Sequence, residues 1–150
     1  MSTPEERFVN KEQCRFISEL AAGENKEALE YLKLLSFLAR IADDVFDEFQ
    51  NVSQNNILAL IEGLFIRLPA NSFYQKHQDI LFSQHLAMWN AWEASNVLQN
   101  GDKIDKIYAH VLRDYINEVL PVVALLTQGY SKMKEVNGLI RSLFKKNIEE

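Results

Sequence analysis

A single cysteine, three prolines and five glycines in 150 residues leave this chain few covalent staples and few helix breakers. Cys14 has no partner for an internal disulfide, so nothing points to an oxidising compartment and a reduced, cytoplasmic setting is expected. Long apolar runs are missing as well. VLPVVALL at 119–126 is the longest, far short of the roughly 20 residues of a spanning helix, and the opening MSTPEERFVNKEQ is charged where a signal peptide is apolar. A soluble protein with no membrane partner is expected. Positive charge is the scarcer sign: 16 Lys and Arg against 21 Asp and Glu leave a net charge of −5, which opposes attraction to phosphate backbones. Lys132, Lys134, Arg141, Lys145 and Lys146 make the last segment basic, but Glu135, Glu149 and Glu150 dilute it and no nucleic-acid motif is present, so no nucleic-acid partner is expected. There is no Gly-rich phosphate loop, no HExxH and no Cys-His cluster, and His77 and His85 do not have the four-residue spacing of a zinc-chelating pair.

What the chain does have is apolar residues at helical spacing. Hydrophobic residues make up 47% of it, enough for one domain over residues 1–150 to bury a core unaided. Thr3-Pro4-Glu5-Glu6 reads as a capped helix start, and Val9, Phe16, Ile17 and Leu20 form one stripe before Gly23 ends that helix. Asn25 caps a second helix to about Phe49, and Ser53 a third that carries Ile57, Leu60, Ile61, Leu64, Phe65 and Leu68 on its apolar side until Pro69 stops it. A fourth runs from about Phe73 to Leu98, with Phe82, Met88, Trp89 and Trp92 reading as core and His85 as a hydrogen-bonded, largely buried histidine. Asp102 caps a fifth, whose inner face is traced by Ile104, Ile107, Tyr108, Val111, Leu112, Tyr115, Ile116, Val119 and Leu120 up to a kink at Pro121. The sixth begins at Ser131, with Met133, Val136, Ile140, Leu143 and Phe144 inward, and VLPVVALL before it belongs to the interior. No stretch alternates with period two, so the expected fold is all-α, a single-domain antiparallel bundle of about six helices.

One stretch carries chemistry. IADDVFDEF at 41–49 places Asp43, Asp44, Asp47 and Glu48 within a sector of about 140° on the second helix. Solvated faces of this kind are common, and Arg40 to Asp44 makes an i,i+4 pair. Yet four carboxylates repel one another, and near a helix C-terminus each is disfavoured by roughly 0.3–1 kcal/mol, so a positive group nearby is expected. Asp at i, i+1 and i+4 suits Mg²⁺, which binds few carboxylates and keeps water or phosphate in its other positions.

LARIADDVFDE resembles the first aspartate-rich motif of the squalene and phytoene synthases, and VLRDYINEVLP resembles their second, with Asp114 first and Glu118 in place of the final Asp. That resemblance implies Mg²⁺ on Asp43, Asp44 and Asp47 holding a phosphate or diphosphate, with Asp114 and Glu118 for a second cation. The sequence from DDVFDE through LPANSFYQKH, NAWEASN and LRDYIN is also similar to small helical proteins of unassigned function from phages and environmental microbes. Asp44, Asp47, Phe73, Tyr74, His77, Asn90, Trp92, Asn96 and Arg113 carry that second resemblance. ENKEALE supplies Glu27 and Glu30 ahead of Asp44 and Asp47, the carboxylate order of all-α nucleotide pyrophosphohydrolases. Glu30 and Asp44 nonetheless lie about 21 Å apart along one unbroken helix, too far to share a metal.

Asn90, Glu93 and Asn96 form a polar strip that would orient a bound water if it faced the carboxylates, with His77 at a pocket edge. Arg113 is the residue to neutralise phosphate. No catalytic residue is assigned. The preferred reading is a noncatalytic interaction or structural protein, phage-related and homo-oligomeric. The alternative is a Mg²⁺-dependent phosphate- or diphosphate-binding protein or enzyme.

Overall fold

Each of the six expected segments is helical in the computed structural model, which describes residues 4–149, with side chains from Glu12 to Leu143 and at Lys145. The fold is all-α, with no strand among the described residues, and its arrangement is compatible with an antiparallel bundle. The Thr3 cap, the Glu6 capping box, the inward Val9 and Phe144, and Lys146 lie outside the described residues.

The capping chemistry sets most of the boundaries. Helix α1 (Pro4–Ala22) ends at Gly23, whose φ of +58° is the left-handed conformation that glycine adopts without strain. The last carbonyls of α1 are then satisfied from a distant element: Gln128 Nε2 donates to Leu20 O and Ala21 O, and Thr127 Oγ1 donates to Ala21 O. Asn25 caps α2 (Lys26–Asp47) by accepting the Ala28 N–H at 3.0 Å. Ser53 likewise caps α3 (Gln54–Glu62).

Three boundaries differ from the sequence reading. Pro69 does not stop the third helix, which widens into a π turn (Gly63–Arg67) and continues as the short α4 (Leu68–Ala70). Gly63 permits the close approach of that turn to α2, because a Cβ there would overlap the Leu38 side chain. The fourth helix breaks at His77, dividing α5 (Ser72–Lys76) from α6 (Gln78–Leu98). Buried Asn71 anchors the start of α5: it accepts the Tyr74 N–H at 2.9 Å and donates to Glu27 O on α2 at 3.1 Å. In the fifth segment the change comes before Pro121. Helix α7 (Lys103–Arg113), opened by a capping box of Asp102 and Asp105, tightens into a 3₁₀ turn (Asp114–Glu118) and resumes as α8 (Val119–Gln128). Proline has no N–H for the carbonyl one turn back, so it sits in the first turn of α8, where that bond is not required.

Helix α8 occupies the interior, as its composition implies, packed against α1 and α9 (Tyr130–Glu149) with Val119, Leu120, Val123 and Ala124 buried. The core continues through Ile17 and Ala21 of α1, Tyr31 and Leu32 of α2, Leu81 of α6, and Val136 and Ile140 of α9. Helices α6 and α7 pack on each other, and α6 reaches α2 through long bridging side chains.

That separation leaves expected core residues outside. On α7 and the turn after it, Ile104, Ile107, Tyr108, Val111 and Tyr115 are 40% to 76% exposed, whereas Leu112 and Ile116 of the expected face are half-buried and Val119 and Leu120, at the start of α8, are buried. Phe16, Ile61, Leu64, Phe65, Phe82 and Trp89 are exposed too, whereas Met88 and Trp92 are half-buried. The apolar pattern of α7 is wider than the one groove α6 offers it, so part of it has no neighbour. No helix among the described residues is long and apolar enough to cross a membrane.

Candidate functional site

Asp43 stands at the edge of the acidic sector, beside Ala39 and Ala42, and this position turns it inward while Asp44 and Asp47 remain exposed. Its Oδ1 accepts the indole N–H of Trp92 at 2.5 Å. A Trp N–H buried beside an apolar ring needs an acceptor, and Phe46 packs edge-on to the same indole at 5.6 Å. Burial pushes the Asp43 carboxyl above its ordinary value of 3.8, against the opposing pull of the Trp92 bond and the Arg113 charge, while Asp47 and Asp44 push it further up.

Arg113, at the end of α7, supplies the positive charge that the cluster requires. Its Nη2 donates to buried Asn96 Oδ1 at 2.9 Å and lies 3.8 Å from Asp47 Oδ1. Its Nε is buried without an acceptor among the described residues. Residues remote in sequence therefore converge here: Asp43 and Asp47 from α2, Trp92 and Asn96 from α6, and Arg113 from α7.

The second acidic pair lies elsewhere and has its own guanidinium. Glu118 pairs with Arg141 of α9. Asp114 accepts from Asn117 Nδ2 at 2.6 Å, and its carboxyl is raised mainly by burial, offset by that bond and by Arg141. Arg113 and Asp114 are consecutive, so they leave the chain about 100° apart and serve different faces. Among the described residues no group of three or more His, Cys, Asp or Glu side chains gathers as a metal centre. Helix α2 runs unbroken through Ser36, which keeps Glu30 and Asp44 apart.

Of the polar strip on α6, only Asn96 reaches the site; Asn90 and Glu93 are exposed. Steps of three residues rotate about 60° backward each, so a six-residue span turns by about 120° and cannot hold one face. His77 closes α5, with its ring against Phe73 at 4.8 Å rather than near the carboxylates. His85 is hydrogen-bonded as expected: the Tyr31 hydroxyl lies 2.6 Å from its Nε2, and the ring stacks on Tyr74. Burial lowers the His85 pKa and raises that of Tyr31, which favours the neutral form of both partners.

These bridges frame a pocket of about 290 Å³ between α2, α3 and the α6/α7 pair. Leu35, Leu38 and Ala42 form one wall; Leu60 and Leu64 a second; Met88, Trp89, Leu112 and Ile116 the rest. Asp43, Arg113 and His85 are the charged or titratable residues that reach it. Sequence reasoning missed Tyr31 and the pairing of Trp92 with Asp43. The available signal was a carboxylate at the apolar edge of one helix and a Trp that needed an acceptor on another. Comparison with known protein families, curated proteins and solved structures finds no match to this chain.

Proposed function

We propose that this chain is a noncatalytic interaction protein that works as an assembled homo-oligomer, with a second copy covering the apolar stripe of α7. The observation that carries this is the exposed apolar side of α7, because a contiguous apolar patch of this kind marks an interaction surface. Ile104, Ile107, Tyr108, Val111 and Tyr115 recur at three- and four-residue steps, so two copies of the stripe can meet about a two-fold axis as one self-complementary patch.

Thermal unfolding across a hundredfold range of protein concentration tests this. The native Tm rises with concentration, because assembly stabilises only the folded chain. The double variant Ile107→Glu, Val111→Glu loses that dependence. A native Tm independent of concentration contradicts the proposal.

The rival reading is a Mg²⁺-dependent phosphate or diphosphate site. Its support is Asp44 and Asp47, both exposed and three residues apart beside half-buried Asp43. On that reading Mg²⁺ competes with Arg113 for the same carboxylates, and a titration given below separates the two.

A further inference from the structure

The pocket beside Asp43 is a feature that an assembly surface alone does not require, and its chemistry narrows what it holds. Its volume of about 290 Å³ is roughly twice the ~150 Å³ of an apolar cavity that accepts benzene, which corresponds to about a dozen non-hydrogen atoms. Leu35, Leu38, Leu60 and Met88 offer only dispersion contacts, so the body of the ligand is hydrocarbon. Exposed Leu64 and Trp89 mark the mouth.

Polar recognition comes from two groups. Arg113 lines the pocket with a side chain that stays 32% exposed; Nη2 is taken by Asn96, and a guanidinium has further N–H donors. Asp43 gives Oδ1 to Trp92, and a carboxylate retains further acceptor positions. His85, the other titratable lining residue, is engaged by Tyr31. A ligand that satisfies both free positions accepts from Arg113 and donates to Asp43.

Charge then selects the head group. Arg113 already faces Asp43 and Asp47, so a carboxylate or phosphate would bring further negative charge to a site with more carboxylates than guanidinium. A hydroxyl brings none and both donates and accepts. We propose that this pocket binds a neutral amphiphile, a hydrocarbon body of roughly ten carbons ending in a hydroxyl held between Arg113 and Asp43.

Trp89 and Trp92 are the two tryptophans of the chain and both line the pocket, so intrinsic fluorescence reports its occupancy directly. Titrations with 1-decanol and with decanoate, at fixed protein concentration and pH 7.5, test the proposal. Expected are a saturable response of one 1-decanol per chain and binding of decanoate at least tenfold weaker. Arg113→Met then weakens 1-decanol about tenfold, and Ala42→Phe, which places a ring in the cavity, removes the response. Leu60→Phe serves as a second cavity-filling variant, with circular dichroism confirming that each variant folds. Decanoate binding as tightly as 1-decanol overturns the head-group assignment. A response unchanged in folded Arg113→Met and in both filling variants, or no saturable response in the native protein, overturns the site.

Discussion

Replacing Tyr31 by Phe removes one oxygen from a side chain with no solvent exposure, and that oxygen joins α2 to α6. The native hydroxyl is hydrogen-bonded to His85 Nε2 at 2.6 Å; in the variant this half-buried nitrogen has lost its partner. A neutral hydrogen bond contributes about 1 kcal/mol net, and an acceptor left partly desolvated adds to the loss, so a cost of about 1–2 kcal/mol is expected. For a chain of this length that lowers Tm by about 2–8 °C. The pH dependence adds a second signature. Burial holds the folded His85 pKa below its ordinary value of 6.5. The unfolded chain therefore binds a proton that the folded chain refuses, and native stability falls as pH drops through 6.5 toward the folded value. Urea unfolding at several pH values measures both effects, to the second of which His77 contributes with the same sign. A variant as stable as the native protein at pH 7, or a native stability that does not fall between pH 7 and pH 5, refutes the reasoning.

Three further outcomes follow from the same geometry. Gly23→Ala should cost about 1–2 kcal/mol, because the residue sits at positive φ and its Cβ would lie 2.8 Å from Gln128 Cδ; unchanged urea unfolding would contradict this. Trp92→Phe should cost about 1–2 kcal/mol at pH 7, the lower part of the range for a bond to a charged group because Asp43 keeps part of its surface in water. The folded Asp43 pKa is raised and would rise further, so its unfavourable ionisation acts above that pKa and vanishes below the ordinary 3.8; the deficit should shrink between pH 7 and pH 4. Isothermal titration with Mg²⁺ and pyrophosphate should give no saturable heat while Arg113 neutralises the cluster, whereas saturable binding lost in both Asp44→Asn and Asp47→Asn would establish the metal reading.

Local chemistry was legible in the sequence where a single side chain decides it. Asn25, Ser53 and Asp102 each cap the helix they open, and the apolar α8 buries Val119, Leu120, Val123 and Ala124. Asn71 escaped notice because its second bond runs to Glu27 O, 44 positions away. Periodicity showed that α7 is amphipathic but carries no information on whether its apolar side meets the same chain, and Ile104 through Tyr115 are the result. The acidic cluster was legible as a group of like charges that needs a cation. That the cation is a guanidinium depends on where the α6/α7 pair lies over α2, a tertiary fact that single-helix spacing does not encode.

Sedimentation equilibrium of the native protein at micromolar concentration tests the central claim most directly. Assembly through α7 predicts a mass of at least twice 17.4 kDa, falling toward the single-chain value in the Ile107→Glu, Val111→Glu variant. A native mass of 17.4 kDa across the whole concentration range would contradict it.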